Sequence, residues 1–181
     1  MTLTQYYVAA SMDGHIADED GSLDWLLQFN DAEGVGEHTE AFMADVGALA
    51  MGASTYEFLL GEREWPYPGL PAVVFTHRDL PGFPDADITF TSDDVADVHA
   101  RLVEAAAGRN VWLVGGGGLV AQFAERGLLD EIWLGIAPVV LGGGAPLLPA
   151  RLPGVWDLLD VERLGRSFVE LRYRRHGAGR E

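Results

Sequence analysis

The stretch that decides the fold is Val111–Gly118, with the sequence VWLVGGGG. A short apolar strand runs into four consecutive glycines, and the next residues, Leu119–Arg126, have the spacing of an amphipathic helix. Glycine lets the main chain turn sharply and lets a ligand approach it closely. A helix N-terminus adds free N–H groups and the positive end of the helix dipole. The stretch therefore predicts either a tight strand-to-helix turn or, as we favour, a loop that binds nucleotide phosphates.

The length and composition indicate one domain of ordinary size. The chain has 181 residues, of which 48% are hydrophobic and 22% are charged, so a sizeable core is expected. It contains no cysteine, which excludes disulfides and thiolate chemistry, and its five histidines lack the spacing of metal ligands. We therefore predict no catalytic metal.

The charge and hydropathy pattern limits the possible partners. The formal net charge of −16 would repel the phosphate backbone, which excludes a general nucleic-acid-binding surface. No apolar run approaches the roughly 20 residues of a membrane span, and no basic segment precedes an apolar stretch at the N-terminus. These features, with the absence of cysteine, predict a cytoplasmic protein that binds neither nucleic acid nor a membrane.

Strand-like and helix-like segments alternate along the chain, which predicts an α/β fold with a mostly parallel central sheet. Two further strands, residues 155–164 and 168–175, predict an antiparallel hairpin at the end of the chain. The other predicted strands are Gln5–Ser11, Val46–Met51, Ala72–Thr76, Ile88–Phe90, Val111–Val114 and Glu131–Leu141. The predicted helices are Leu23–Phe29, Ser54–Leu60, a helix that starts within Thr91–Asp94 and runs to about Ala107, and the helix after the glycines.

Four local features carry more specific expectations. Ser54 with Glu57 has the spacing of a capping box. Pro138 lies inside a predicted strand and indicates an edge position or a bulge. Glu131 is expected to be a surface charge at a strand end, and Asn30–Glu37 is expected to be a loop or a helix start.

Several segments, in order, match motifs of a known family. They are Ser11–Ala17 (SMDGHIA), Met51–Glu57 (MGASTYE), Val74–His77 (VFTH), the glycine stretch, Gly127–Ile132 (GLLDEI) and Ala137–Gly142 (APVVLG). Together they resemble the dihydrofolate reductase superfamily, and in particular the reductase (RibD C-terminal-like) domain of riboflavin biosynthesis. The resemblance spans about residues 5–175. It implies a three-layer fold with helices on both faces of the sheet, one domain over residues 1–176 and a flexible tail at 177–181.

The resemblance also implies an NADPH-dependent reductase. On that mapping, the pyrophosphate lies against Val114, Gly115, Gly116, Gly117, Gly118, Leu119 and Val120. Further phosphate or ribose contacts come from Gly52, Ala53, Ser54 and Thr55. The adenosine 2′-phosphate lies near Thr76, His77 and Arg78, and the nicotinamide is flanked by Ala9, Ile16 and Ala17. The family's usual arginine is Ala53 here, so either His77 and Arg78 replace that charge or the preference for NADPH is relaxed.

The proton source for the reaction stays open between two carboxylates. Folate-reducing members use a carboxylate on the first helix with a threonine on a later strand, and that strand position is Gly135 here. Asp13 and Asp24 are the candidate catalytic acids. Asp13 could instead be a turn residue that accepts backbone hydrogen bonds, and Asp24 a helix-start acid. Trp25, Phe29 and Trp65 could stack on a flat heterocycle or belong to the core.

Three functions remain as alternatives. The first is an oxidoreductase resembling 5-amino-6-(5-phosphoribosylamino)uracil reductase, which would need a cationic phosphate site, with Arg63 and Arg151 as candidates. The second is a dihydrofolate or pterin reductase-like enzyme, and the third is a non-catalytic NADP-binding protein. The family resemblance and the apolar C-terminal strands also suggest a homodimer.

Overall fold

The computed structural model describes residues 1–29 and 33–178, and this part of the chain forms ten strands and five helices. The strands are β1 (Thr4–Ala10), β2 (His15–Ala17), β3 (Val46–Gly52), β4 (Ala72–Phe75), β5 (Ile88–Thr91), β6 (Asn110–Gly115), β7 (Glu131–Ile136), β8 (Ala145–Pro146), β9 (Trp156–Leu164) and β10 (Phe168–Arg175). The helices are α1 (Asp24–Leu27), α2 (Val35–Ala44), α3 (Ala53–Leu59), α4 (Val95–Ala105) and α5 (Gly117–Glu125).

Eight strands form one sheet in the order β5-β4-β3-β6-β1-β7-β10-β9. The pairs from β5 to β7 are all parallel, whereas β10 is antiparallel to both β7 and β9. The predicted mostly parallel sheet with a C-terminal antiparallel hairpin is therefore confirmed. Because the parallel strands end together, the loops after β1, β3, β4 and β6 meet at one edge of the sheet.

Helices cover both faces of the sheet, as expected. On one face α4 and α5 bury Val98, Leu102 and Phe123 against the alternate residues of β1, β3 and β6. On the other face Phe42 of α2 packs on Leu49 and Trp112, and α3 adds Tyr56 and Leu59. The alternation of strand side chains thus supplies two apolar layers, one on each side of the sheet.

A second, two-stranded sheet was not anticipated by the sequence analysis. Its strands β2 and β8 pair antiparallel, with His15 opposite Pro146 and Ala17 opposite Ala145. We call this pair of strands the β2–β8 ribbon. Leu147, just after β8, donates its N–H to the carbonyl of Gly14 over 2.9 Å. The ribbon ties the loop after β1 to the glycine- and proline-rich segment at residues 142–153.

Two of the local expectations are wrong. Helix α3 begins at Ala53 with Gly52 as its N-cap, so Ser54 lies inside the first turn and does not cap the helix. Strand β7 ends at Ile136 and lies between β1 and β10, so Pro138 falls after an internal strand and marks no edge or bulge.

The remaining boundaries agree with the sequence or lie outside the described residues. In the segment 30–37, helix α2 begins at Val35, whereas residues 30–32 are not described. Of the predicted tail, residues 177 and 178 form a turn, whereas 179–181 lie outside the described part of the chain.

Candidate functional site

Two helix N-termini meet at the carboxyl edge of the sheet. Helix α3 follows β3 and helix α5 follows the neighbouring strand β6, and no described side chain caps either one. Their N-cap residues are Gly52 and Gly116, and a methyl group built on Gly52 would lie 3.7 Å from the Gly116 nitrogen. We call Gly52 together with Gly115–Gly118 the glycine cradle. Free N–H groups and two positive dipole ends converge there, which suits an anion.

The glycines of the cradle serve different needs. A Cβ on Gly117 would lie 2.4 Å from the Leu147 carbonyl oxygen and 2.9 Å from that of Pro146, so only glycine lets the β2–β8 ribbon pack on α5. A Cβ on Gly116 or Gly118 would meet no atom within 4 Å, which leaves space beside the main chain. Gly115 has φ +143°, a conformation that L side chains rarely adopt. The cradle thus combines tight packing on one side with open main chain on the other, and these residues fit a dinucleotide phosphate.

The segment after β4 places one cation beside α3. The Arg78 guanidinium donates from Nη1 to Glu57 Oε1 over 2.7 Å and from Nη2 to Glu57 Oε2 over 2.9 Å. Thr76 Oγ1 accepts a hydrogen bond from the Arg78 N–H and holds the turn between them. The ion pair is largely exposed, so it contributes at most about 1 kcal/mol and can open to release Arg78 for another anion.

Asp13 fastens the loop after β1 to the segment after β7. Its carboxylate accepts hydrogen bonds from Ser11 Oγ over 2.7 Å, from Leu141 N over 3.0 Å and from Gly142 N over 2.7 Å. The hydroxyl and the two backbone N–H groups hold the pKa of Asp13 well below its usual range. The geometry therefore favours the turn role that the sequence analysis left open for this residue. Ile16 and Ala17 follow on β2 and lie in the ribbon beside the cradle.

An apolar cavity of about 220 Å³ opens beside the carboxyl halves of β1 and β7. Ala9, Gly135 and Trp112 contribute from the sheet, Leu26 and Phe29 from the α1 region, and Phe168 from β10. Three residues with polar side chains line it, namely Tyr7, Thr39 and Glu170. The Tyr7 hydroxyl lies 3.3 Å from Thr39 Oγ1. None of the described residues that line it is a lysine or an arginine. A mostly apolar cavity with a few polar groups is typical of small-molecule sites.

Glu170 is a site residue that the sequence analysis missed. It is 4% exposed, and its Oε1 lies 2.7 Å from Nε2 of His38 on α2. Its other oxygen, Oε2, is buried without a hydrogen-bond partner. Burial raises the pKa of Glu170 above its ordinary value, although the hydrogen bond to His38 opposes the rise. One signal was available: strand alternation puts Glu170 on the same face as the apolar Phe168.

The other sequence candidates are distributed as follows. Asp24 lies exposed on α1, whereas Leu26 of the same helix lines the cavity. Phe29 lines the cavity as well, while Trp25 is buried beside it and Trp65 packs against Tyr56. Arg63 and Arg151 are exposed on loops away from the cavity lining.

Glu131 is the clearest correction to a sequence expectation. It is fully buried, not a surface charge, and its carboxylate accepts hydrogen bonds from Gln5 Nε2 over 2.8 Å and Trp133 Nε1 over 2.9 Å. Arg174 Nε donates to it over 2.9 Å and Arg172 Nη2 over 3.2 Å. Burial opposes its charge, but these donors lower the pKa of Glu131. The cluster lies at the amino end of β7, away from the cradle.

Two further properties of the described residues concern membranes and metal ions. No helix in that part of the chain has the length and apolar character needed to cross a membrane. No group of three or more His, Cys, Asp or Glu side chains among residues 1–29 and 33–178 could hold a metal ion.

Comparison with known proteins places this fold in the dihydrofolate reductase type of α/β proteins. The family model of the RibD C-terminal domain matches residues 4–169, and the chain belongs to that family. The uncharacterized protein YwjB of Bacillus subtilis (strain 168) is 38% identical over 80% of this chain and 81% of its own length.

Two solved structures share the fold. A protein from Shewanella sp. PV-4, described as a candidate riboflavin biosynthesis protein, has a TM-score of 0.80 and 28% identity over 96% of this chain and 99% of its own. A deaminase/5-amino-6-(5-phosphoribosylamino)uracil reductase from Thermotoga maritima has a TM-score of 0.66 and 16% identity. That match covers 96% of this chain and 56% of the Thermotoga chain, and at this identity it shows the fold alone.

Proposed function

We propose that the protein is an NADPH-dependent reductase that acts on a C=O or C=N bond of a small heterocyclic or ribosyl compound. The observation that carries the proposal is the meeting of two uncapped helix N-termini at the glycine cradle, on the sheet edge that also holds the apolar cavity. NADPH would supply the hydride. The protein's part is to bind it, to exclude water and to provide a proton.

The cofactor would extend along the carboxyl edge of the sheet. Its pyrophosphate would rest on Gly115–Gly118 and the first turn of α5, with Leu119 and Val120 packed behind them in the core. Gly52–Thr55 would take further phosphate or ribose oxygens, and the Thr76–Arg78 segment the 2′-phosphate. Ala9, Ile16 and Ala17 would flank the nicotinamide, since Ala9 lines the cavity and the other two lie on the ribbon beside α5.

Calorimetric titration and thermal unfolding with NADPH test the proposal. At a hundredfold excess over its Kd, NADPH should raise the free energy of unfolding by about 2.7 kcal/mol. The Arg78→Ala variant should weaken NADPH binding about tenfold, because a charge-assisted hydrogen bond to the 2′-phosphate is lost, and should leave NADH binding unchanged. Glu57→Gln should strengthen NADPH binding, since Arg78 is then released from its partner.

The matched control is Arg109→Ala, which removes an exposed arginine just before β6, at the amino end of the sheet. It should change neither affinity. An absence of any stabilisation by NADPH would overturn the proposed function. An unchanged NADPH Kd in Arg78→Ala would overturn the assignment of the 2′-phosphate site and leave the cradle in place.

The candidate substrates differ in charge. A phosphoribosyl substrate needs cations, yet the described lining of the cavity holds none. This observation favours an uncharged, flat heterocycle, as in the pterin-like alternative, with any phosphate held outside the cavity. NADPH oxidation with a panel of dihydropterin, ribosylaminouracil phosphate and simple carbonyl compounds separates the enzyme classes. NADPH binding without turnover of any of them would support the non-catalytic alternative.

A homodimer through the C-terminal hairpin is also part of the proposal. Strand β9 is the last strand of the sheet, and it exposes Leu158 (53%), Leu159 (43%) and Val161 (54%). Exposed apolar side chains on an edge strand promote association unless a partner covers them. Light scattering should give twice the chain mass, and Val161→Glu should give the monomer. A monomeric wild-type protein would contradict this part of the proposal.

A further inference from the structure

We infer that Glu170, held by His38, is the proton donor for the reduction in the apolar cavity. The inference rests on the proposed reductase function and deepens it, because it names the acid that neither Asp13 nor Asp24 supplies. Asp13 is engaged by three hydrogen bonds, and Asp24 is exposed outside the cavity lining.

The position of Glu170 within the sheet brings it to the reacting end of the cavity. Strand β10 runs antiparallel to β7 and pairs Glu170 with Gly135, the residue at the strand position that resembles the threonine of folate-reducing members. Gly135 has no side chain, so Glu170 lies next to a bare segment of β7 whose other neighbour is Ala9 of β1. A carboxyl group from β10 thus lies in the cavity wall beside Gly135 and Ala9.

The two oxygens of Glu170 have different surroundings. Oε1 bonds to His38 Nε2 over 2.7 Å, whereas Oε2 is buried and has no partner among the described residues. An unpartnered charged oxygen in an apolar wall is costly, and a proton on it removes that cost. Oε2 is therefore the atom that holds the proton and gives it to a bound substrate.

A path to solvent begins on the far side of His38. Its Nδ1 lies 3.3 Å from Oε2 of Glu162, whose side chain is half exposed. Glu170, His38 and Glu162 also line a second, smaller cavity of about 100 Å³ together with charged groups. Glu170 thus lies between an apolar cavity and a charged one, which is the placement that a proton relay requires.

Charged and titratable groups reach Glu170 from each element packed on it. They are His38 on α2, Tyr7 on β1, Asp160 and Glu162 on β9, and Arg172 on β10. Arg172 is already committed, since it donates to Glu131 and its guanidinium lies 4.2 Å from the centre of the Trp133 ring. His38 is the one group among the described residues that contacts the Glu170 carboxyl directly.

The reduction would use one hydride from the proposed cofactor and one proton from Glu170. The π bond of C=N or C=O breaks as the carbon gains the hydride, and the nitrogen or oxygen takes the proton from Glu170 Oε2. Glu170 is left as a carboxylate, which His38 stabilises by its hydrogen bond. A proton then returns from solvent through Glu162 and His38 to Oε1, and rotation of the Glu170 carboxyl group about its Cγ–Cδ bond brings it back to the substrate side. The substrate class is an uncharged compound, because the described cavity wall offers no cation and the acid must stay neutral until the reaction.

The first test measures the titration of the Glu170 carboxyl group, with no cofactor or substrate present. Carbon-13 NMR of protein labelled at glutamate Cδ should show one carboxyl that titrates above the ordinary 4.5, and Glu170→Gln should remove that resonance. The His38→Gln variant, which keeps a neutral polar partner, should raise the pKa of Glu170 further, since His38 lowers it. An ordinary glutamate titration for Glu170 would overturn the inference whatever the enzyme does.

The second test reads the reaction. In single-turnover NADPH oxidation with dihydropterin or a carbonyl compound that the wild type reduces, Glu170→Gln should be slower by about 10²- to 10⁴-fold, with an unchanged NADPH Kd. The wild-type rate should fall as pH rises through the pKa of Glu170, and the variant should lack that limb. Glu104→Gln, an exposed position on α4, is the control. A wild-type rate in Glu170→Gln would refute the inference, whereas failure to bind NADPH would refute the proposed function instead.

Discussion

The Glu131→Ala variant is expected to lose about 3 kcal/mol of unfolding free energy, because it removes a fully buried carboxylate from its cationic partners. The carboxylate is fully buried and accepts from Gln5, Trp133, Arg172 and Arg174. Without it, four donors lose their acceptor, and two of them are cations. The arginines are about one-third exposed and can regain some water, which keeps the loss near the lower end for a broken buried pair.

Thermal and urea unfolding measure this loss. A decrease of about 3 kcal/mol lowers Tm by about 6–12 °C in a domain of this size. The control is Glu104→Ala, which removes an exposed carboxylate from α4 and should change stability by no more than about 0.5 kcal/mol. Equal effects of the two substitutions would mean that the Glu131 cluster does not stabilise the fold.

The stability lost in Glu131→Ala should depend on pH. The folded protein lowers the pKa of Glu131 below its ordinary 4.5, so the folded state favours the charged carboxylate. Its contribution is therefore complete above about pH 4.5 and is lost as pH falls below that value. The difference in stability between wild type and Glu131→Ala should shrink on acidification and stay constant between pH 6 and 8.

Gly117→Ala is expected to destabilise the protein by about 3 kcal/mol and to abolish stabilisation by NADPH. The new Cβ would clash with the Leu147 carbonyl oxygen; the backbone fixes the position of the Cβ and the oxygen belongs to the main chain, so neither can rotate away. Relief requires the β2–β8 ribbon to separate from the start of α5. Because the ribbon would flank the nicotinamide and the cradle would hold the pyrophosphate, their separation opens the proposed binding site.

The neighbouring glycine provides the control. Gly118→Ala adds the same methyl group one residue later in the same helix, where no atom lies within 4 Å. It should leave stability unchanged or raise it by up to about 1 kcal/mol, because alanine has the higher helix propensity. Differential scanning calorimetry of both variants, with and without NADPH, decides the matter. Similar losses in the two variants would show that α5 tolerates no side chain at its start, whatever the ribbon does.

Features that depend on short sequence segments were predictable. The strand, the four glycines and the apolar face of α5 lie within sixteen residues, Val111–Arg126, and each signal reinforces the next. The final hairpin was equally local, and the structure confirms it. The β2–β8 ribbon escaped notice because its strands have three and two residues, which is too short for an alternating pattern.

Features that depend on distant partners were not predictable. His38 and Glu170 are 132 residues apart, and neither has a neighbour in sequence that indicates the contact. Glu131 was predicted to lie at the surface because the sequence around it shows no partner for a buried carboxylate. Its partners Arg172 and Arg174 reach it only across the β7–β10 pairing. The cofactor residues could be proposed from motifs, whereas the acid had to be found in the packed sheet.

The central place of β1 has a consequence for how the chain acquires its structure. Thr4 pairs with Val111 on one side and Gln5 pairs with Glu131 on the other, so both partners of β1 lie more than a hundred residues later in the chain. Until β6 and β7 emerge, an apolar strand has both edges unpaired, a condition that favours association with other nascent chains. Pairing between strands so far apart in the sequence also slows folding. We therefore expect β1 to reach its native pairing only after β6 and β7 have been synthesised, and truncation before β7 should yield no native sheet.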